Sequence, residues 1–263
     1  MLTTATALLL SLPATIDQKR VHLIDAYPRG PNPHNFIFRG NNPTNKTSAA
    51  ENGKYHFDYD GLVAAMRTAA TTECSVTLPK QLRIVDVSLE NPTDPGYFVE
   101  HQFWKDHSDL GELIQWTTLG SVLDVKHTPF KEQLVKNGSW AIQGDADRLP
   151  ERLAAIHSSL TNTSGPPTAF FVHCNAGCDR TGEFIGAYAM SYLGYNVTTA
   201  MGEAQKQCGR TPNFFASESL GWWCLTLKPT HPDIGDCLDA FGCKYLGDCD
   251  THNATTLADA CPR

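Results

Sequence analysis

The sequence predicts an α/β domain with a central mixed, largely parallel sheet flanked by helices, followed by a C-terminal disulfide-rich extension. Short apolar runs of strand length alternate with segments whose apolar residues recur at helical spacing. A chain of 263 residues with 41% hydrophobic content can bury one proper core. Four of the nine cysteines lie at or after position 237, in a stretch rich in Gly, Asp and Thr. We therefore expect a domain at 16–227 and an extension at 228–263, preceded by a signal peptide at 1–15.

The first half of the domain contains two predicted strands and a helix. Residues 36–39 indicate a short strand that ends at a glycine and an Asn/Pro-rich turn. Asp58 or Asp60 can cap a helix with apolar residues on one side. Residues 82–89 alternate and are rich in Val and Ile, which predicts a core strand, whereas 97–116 is expected to be helical or irregular.

The second half is predicted to be mostly helical around one central strand. Residues 150–160 form a helix with Pro150 in its first turn. A Gly-Pro-Pro break precedes the apolar run at 168–172, which is short enough to be a buried central strand. A polar loop then leads into an amphipathic helix at 181–193. Two further helices are expected, at 199–208 and 213–227.

Several features predict that the protein is secreted. The apolar stretch Ala5–Ala14 resembles a signal-peptide core, although a buried N-terminal helix is the alternative. Nine cysteines favour disulfides, and the spacing of those near the C-terminus does not match the close Cys pairs of a zinc site. Five Asn-x-Ser/Thr sequons are candidate glycosylation sites: Asn45, Asn137, Asn162, Asn196 and Asn253. We therefore expect an extracellular or secretory-pathway location.

Net charge and hydropathy exclude some classes of binding partner. A formal net charge of -7 argues against a nucleic-acid ligand and weakly against a highly anionic substrate. No apolar run approaches the roughly 18 to 20 residues that span a bilayer, so no stable membrane insertion is expected. The oligomeric state is not predicted.

The chemistry is predicted to lie between the strand at 168–172 and the helix after it. The segment 173–182 carries Cys174 and Arg180 with five residues between them. A loop that leaves a buried strand and enters a helix N-terminus directs backbone N–H groups to its centre, which makes an anion cradle. A thiol there loses its proton more readily than a free one, and Arg180 can hold two phosphate oxygens. Gly177 and Gly182 permit the tight backbone path.

His-Cys-x-x-Gly-x-x-Arg-Thr-Gly resembles the signature loop of the protein-tyrosine and dual-specificity phosphatase superfamily. The resemblance implies a protein-tyrosine-phosphatase-like fold and hydrolysis of phosphate monoesters through a phosphocysteine intermediate. It implies that Cys174 is the nucleophile, Arg180 binds phosphate, Thr181 places a hydroxyl beside the thiolate, and His173 tunes the cysteine. The phosphate-binding residues implied are Asn175, Ala176, Gly177, Cys178, Asp179 and Arg180. No metal or organic cofactor is expected, because this chemistry requires none.

A general acid is also needed to protonate the leaving oxygen. Asp145, just before the helix at 150–160, is the first candidate and Asp147 the second, although either can instead cap that helix. Asp124 is a distant third. The Asp-Arg-Thr sequence resembles the loops of phosphoinositide phosphatases, in some of which this aspartate has been linked to acid–base work, so Asp179 competes with Asp145.

Three functions remain open from the sequence. The first is a secreted phosphatase for phosphotyrosine or mixed phosphoprotein substrates. The second is a phosphoinositide or inositol-phosphate phosphatase, disfavoured because Asn175 and Cys178 replace the usual loop lysines; a basic rim would favour it, with candidates at Lys80, Arg83, Lys105 and Lys206. The third is an inactive phosphate-binding pseudophosphatase, with Cys174 disulfide-bonded to Cys178. If the other eight cysteines pair, Cys174 remains reduced.

Overall fold

The computed structural model describes residues 16–46, 55–141 and 147–238. The predicted signal peptide at 1–15, the candidate acid Asp145 and the extension beyond residue 238 lie outside these ranges. Among the described residues, none of the helices has the length and apolar character needed to cross a membrane.

The central sheet has five strands, and a separate two-stranded hairpin stands beside it. In chain order the strands of the described residues are β1 His22–Tyr27, β2 Asn35–Asn41, β3 Thr44–Lys46, β4 Tyr55–Phe57, β5 Arg83–Ser88, β6 Gly111–Gln115 and β7 Thr168–Cys174. The sheet order is β1-β2-β7-β5-β6, while β3 and β4 form the hairpin. β1 runs antiparallel to β2, and the other neighbours are parallel. The carboxyl ends of β2, β5, β6 and β7 therefore share one edge.

Helices cover both faces of the sheet. They are α1 Tyr59–Cys74, α2 Pro95–Asp106, α3 Lys131–Asn137, α4 Leu149–Thr161, α5 Asp179–Tyr192, α6 Val197–Cys208 and α7 Phe214–Leu227. One apolar cluster joins the sheet to α4, α5, α6 and α7, with Ile156, Phe184 and Trp222 fully buried in it. A second cluster packs α1 and α2 on the opposite face, around Met66 and Trp104. The central strands are buried on both sides, which suits their continuous apolar sequence.

The predicted fold class, a largely parallel sheet flanked by helices, is confirmed. The strands expected at 36–39, 82–89 and 168–172 form as β2, β5 and β7, and α1 begins after Asp58, whose carboxylate accepts from the Gly61 amide. The segment 97–116 divides into α2 and β6, so its strand was missed. The edge strand β1 was also missed, because the buried Asp25 interrupts its apolar pattern.

Disulfides connect the helical layer. Cys178 is bonded to Cys208, and Cys224 on α7 to Cys237 in the extension. Cys74 is disulfide-bonded as well. Because Ile234 is buried in the same cluster as α7, the described start of the extension packs onto the domain.

The loop between β7 and α5, residues 174–180, lies directly against β2. Gly177 has a φ of 69°, in the left-handed region. A Cβ added there would lie 2.4 Å from the Gly40 carbonyl oxygen. This position therefore requires glycine for its backbone conformation and for space.

We expect Gly177→Ala to destabilise the protein more than Gly194→Ala, a control with a φ of 72° and no heavy atom within 4 Å of its added Cβ. Both variants should lose about 1–2 kcal/mol for the left-handed backbone. Gly177→Ala should lose about 1–3 kcal/mol more through the clash with β2. Urea unfolding of both variants measures the difference, and equal losses would contradict the close approach.

Candidate active site

Cys174 stands at the carboxyl end of the most central strand. It is the last residue of β7, is buried, and carries a free thiol. β7 is flanked by the parallel strands β2 and β5, so the carboxyl ends of all three strands lie side by side near Cys174. α5 begins five residues later at Asp179. Strand, loop and helix thus meet as the apolar run and the loop sequence predicted.

Cys178 does not pair with Cys174. It is bonded to Cys208 at the end of α6, with the two Cα atoms 5.2 Å apart. The Cys174–Cys178 disulfide considered for an inactive binding module is therefore wrong. The bond attaches the 174–180 loop covalently to the neighbouring helix and leaves Cys174 reduced.

The loop presents unused hydrogen-bond donors. Within the described ranges, the amides of residues 175–178 donate to no protein acceptor. They precede the N-terminus of α5, whose first-turn amides also lack intrahelical partners. The left-handed backbone at Gly177 gives the conformation that turns successive amides toward one centre. Thr181, in the first turn of α5, is buried, and its hydroxyl has no partner in the described part of the chain. The arrangement can bind an anion next to the Cys174 sulfur.

Arg180 is held by a residue that the sequence did not single out. Nη1 of Arg180 donates to the Leu89 carbonyl at 3.0 Å and lies 3.1 Å from Asp94 Oδ2. Asp94 sits in the turn between β5 and α2. Its position after a predicted core strand was the available signal, because parallel strands end at one edge of a sheet.

Asp179 accepts hydrogen bonds from the segment that connects α6 to α7. Its two carboxylate oxygens accept from Arg210 at 2.8 and 2.7 Å, and one also accepts from the Asn213 amide. Partial burial would raise the pKa of Asp179, but these donors hold it below its ordinary value. An aspartate kept ionised in this way is a poor proton donor.

Two further arginines bind loop carbonyls. Arg20 Nη1 donates to the Ala176 carbonyl at 2.6 Å, and the same side chain pairs with Asp17 at 3.2 Å. Arg39, from β2, donates to the Gly177 carbonyl at 2.5 Å. These contacts fix the outward-facing carbonyls of the loop, so its amides face the other way.

His173 is buried among carboxylates beneath the loop. Its Nε2 lies 2.9 Å from Asp86 Oδ1 and 3.7 Å from Glu100 Oε1. Burial by itself would lower the pKa of His173, but Glu100, Asp86 and Glu90 together raise it to about 10. Burial raises the pKa of Glu100 to about 8. Below that pH the group holds an imidazolium and a protonated Glu100, with Trp104 donating to Asp86 at 2.7 Å.

Asp86, Glu100 and His173 could also be considered as metal ligands, since each offers a ligand atom within 4.8 Å of the others. The 2.9 Å approach of His173 Nε2 to Asp86 is an ion-pair distance. A protonated His173 offsets part of the negative charge of this cluster.

The other candidate acids, Asp147, Asp124 and Asp145, differ in their surroundings. The carboxylate of Asp147 is buried and accepts from the Leu119 and Gly120 amides, so it does not cap α4. Asp124 accepts from His127 in a local turn; partial burial would raise its pKa, but hydrogen bonds with His127 and the Lys126 amide lower it. Asp145 lies outside the described residues.

The basic rim considered for lipid substrates is not assembled. Lys80 and Arg83 line a cavity with Pro166 and Pro167, which precede β7 at the sheet edge opposite the loop. Lys206 is 3.7 Å from Glu203 on its own helix, and Lys105 lies in the last turn of α2.

Among solved structures, a single-residue variant of human DUSP28 aligns over 80% of this chain and 98% of its own, at 16% identity and a TM-score of 0.35. The phosphatase domain of Yvh1 from Chaetomium thermophilum aligns over 77% of this chain and 96% of its own, at 13% identity and a TM-score of 0.28. No protein-family profile and no curated protein sequence matches the chain. Superpositions this loose support no assignment of activity, which has to come from the site itself.

The disulfide arrangement predicts a defined labelling pattern. Alkylation of the denatured, non-reduced protein should label Cys174, because it is the free thiol of the described residues. Proteolysis should release a linked peptide pair that carries Cys178 and Cys208. Mass spectrometry checks both results, and a linked Cys174–Cys178 peptide would contradict the structure.

The buried His173 cluster predicts that stability falls as the pH rises. Between pH 4.5 and about 8 the folded state keeps the Glu100 proton that the unfolded chain releases, and between pH 6.5 and about 10 it keeps the His173 proton. Because the folded state binds more protons, the free energy of unfolding decreases with pH, by up to about 1.4 kcal/mol per unit for each group. Glu100→Gln should flatten this decrease between pH 6.5 and 8.

Urea unfolding across that pH range measures the slope. Glu132→Gln, at an exposed position of α3, serves as the matched control and should keep the wild-type slope. Equal slopes for wild type and Glu100→Gln would show that Glu100 does not hold an extra proton in the folded state.

Proposed function

We propose that the protein is a secreted cysteine-dependent phosphatase that hydrolyses phosphate monoesters through a phosphocysteine intermediate. One observation carries the proposal: a buried, free Cys174 lies at the base of a loop whose amides at 175–178 have no protein acceptor. Arg180 adds a guanidinium at the start of α5. A nucleophile within an anion cradle is the combination that phosphoryl transfer to a thiolate requires.

In the first step the Cys174 thiolate attacks phosphorus, and the bond from phosphorus to the ester oxygen breaks. A general acid gives its proton to that departing oxygen, which leaves as an alcohol or phenol. The amides of the 174–180 loop and Arg180 bind the three remaining phosphoryl oxygens. The Thr181 hydroxyl, buried without a described partner, is available to donate to the sulfur.

In the second step water attacks the phosphorus of the phosphocysteine. The residue that served as acid now accepts a proton from the water, the sulfur–phosphorus bond breaks, and inorganic phosphate and the thiolate are released. His173 touches no reacting atom in this scheme. Against the effect of burial, Glu100, Asp86 and Glu90 hold the pKa of His173 above its ordinary value, so it remains an imidazolium at the end of β7 at neutral pH.

Asp145 is the proposed general acid. Asp147, two residues later, is tied to the Leu119 and Gly120 amides, which follow the carboxyl end of β6 at the edge that bears Cys174. That attachment holds Asp147 at the same sheet edge as the 174–180 loop. Asp179 is less suitable, since Arg210 binds both of its oxygens.

Phosphotyrosine or mixed phosphoprotein substrates are favoured over phosphoinositides. The arginines near the mouth of the loop are each neutralised: Arg20 by Asp17, Arg180 by Asp94 and Arg210 by Asp179. Such paired charges suit a single phosphate better than a headgroup with several. The second candidate, an inositol-phosphate or phosphoinositide phosphatase, keeps only the Asp-Arg-Thr sequence in its favour.

Secretion is supported by the disulfides Cys178–Cys208 and Cys224–Cys237, which suit an oxidising compartment. Two of the candidate glycosylation sites, Asn137 and Asn162, are exposed. Asn196 is half-buried and caps α6 through the Thr199 amide, so it is a less accessible acceptor.

Purified protein should release phosphate from a panel of phosphotyrosine peptides, phosphoserine peptides, phosphoinositides and inositol phosphates, with phosphotyrosine peptides preferred. Cys174→Ser should abolish release from every member, because a serine hydroxyl in the same cradle is a far weaker nucleophile than a thiolate. Preference for the inositol compounds would favour the second candidate. No release by protein whose Cys174 is reduced would favour the binding module.

The acid is identified in the same assay by replacing Asp145, Asp147 and Asp124 with Asn, one at a time. Asp145→Asn should lower kcat by about 10²–10⁴-fold for an alkyl phosphate, the usual contribution of a positioned acid. It should have a smaller effect on an aryl phosphate, whose leaving group needs less protonation. A loss confined to Asp147→Asn or Asp124→Asn would transfer the role to that residue.

A further inference from the structure

Arg39 is a fully buried cation without a carboxylate partner. Its side chain is 1% exposed. Nη2 donates to the Gly177 carbonyl, Nη1 donates to Gln207 Oε1 at 2.8 Å, and Nε has no partner in the described part of the chain. Of the described arginines that contact the 174–180 loop or its first helical turn, Arg39 alone has no carboxylate oxygen within 4.0 Å.

A buried charge that lacks a counter-charge is costly. Transfer of an ion from water into a protein interior remains strongly unfavourable even after the structure relaxes around it. Two neutral acceptors offset only part of that cost. Burial lowers the pKa of Arg39 to about 10, so the guanidinium is still charged at neutral pH. A protein that keeps such a group at its active-site loop needs an anion nearby.

The proposed reaction places anions at this loop. Arg39 on β2 pairs in register with Val172 on β7, two residues before Cys174. Burial lowers the pKa of Arg39, and electrostatic coupling first to Cys174 and then to Glu203 opposes that effect. Through Gly177, Arg39 also holds the middle of the loop, where phosphate oxygens would bind.

We propose that Arg39 is a positioning residue that supplies the buried positive charge for the Cys174 thiolate and for the phosphate bound above it, while its contact with Gly177 sets the loop. The inference rests on the proposed phosphatase function and assigns a residue outside the Cys-x5-Arg segment to it. Arg39 touches neither the reacting sulfur nor the substrate, and acts through charge and through the loop backbone.

Other charged groups face the same region. Glu203 on α6 and Arg20 before β1 also act on Arg39, with opposite signs. Arg210 before α7 interacts electrostatically with Cys174 and binds Asp179 of α5. Arg180 on α5 and His173 on β7 lie in the same segment as Cys174, bound to Asp94 and Asp86 respectively. The ion pairs at Arg20, Arg180 and Arg210 cancel much of their own charge, whereas Arg39 lies in the interior where solvent screens least.

The test is the pH dependence of Cys174 alkylation by iodoacetamide, followed on the full chain by mass spectrometry of the Cys174 peptide. Arg39→Gln keeps a hydrogen-bonding side chain without charge and should raise the midpoint pH of alkylation by about one unit or more. Arg39→Lys keeps the charge, loses the two-point contact, and should leave the midpoint near that of wild type while lowering the melting temperature.

Arg67→Gln is the matched control. Arg67 likewise donates to backbone carbonyls, those of Leu78 and Pro79, and lines the cavity at the opposite sheet edge. Arg67→Gln should leave the midpoint pH of Cys174 alkylation unchanged. Inorganic phosphate should raise the melting temperature of wild type and Arg39→Lys, and raise that of Arg39→Gln less.

A lower melting temperature for Arg39→Gln with an unchanged midpoint would overturn the proposal, because Arg39 would then act on folding alone. If Arg39→Gln does not fold, a midpoint shift of one unit in Arg39→Lys would equally overturn it, by showing that contact and not charge governs the thiol. Alkylation needs no turnover, so absent phosphatase activity with the expected shifts would refute the proposed function and leave the charge assignment standing.

Discussion

The close approach of the 174–180 loop to β2 is the constraint on which the site depends. Gly177 leaves no room for a side chain against Gly40, and the Asn42 amide donates to the Asn175 carbonyl at 3.1 Å. The disulfide at Cys178 attaches the other side of the loop to α6. With its carbonyls bound from below, the loop turns its amides toward the position above Cys174, where an anion can bind.

Buried charge is distributed unevenly around that loop. On one side His173 lies among Asp86, Glu90 and Glu100, and protons reduce the charge of this acidic group. On the other side Arg39 has only neutral hydrogen-bond partners. Two regions of opposite character thus meet at the end of β7.

Prediction from the sequence succeeded where the determining contacts are local. An apolar run followed by Cys-x5-Arg and an amphipathic helix specifies β7, the loop and α5 within one continuous segment. Prediction failed for β1 because the charged residue Asp25 interrupts its apolar pattern. Asp25 can be buried there because it accepts a hydrogen bond from Tyr188, which is far along the chain. It also missed Asp94, which precedes Arg180 by 86 residues and meets it only in the folded protein.

The amino-acid sequence by itself determined the strand–loop–helix segment that carries Cys-x5-Arg and the odd number of cysteines, because both are properties of short segments or of simple counts. Which cysteines pair was decided by tertiary structure: Cys178 reaches Cys208 because α6 packs beside α5, and a disulfide needs Cα atoms about 4.4–6.8 Å apart. The same holds for Arg39. Its burial beneath Gly177 follows from the register of β2 against β7. Because these two strands are far apart in the chain, no local sequence pattern specifies that register.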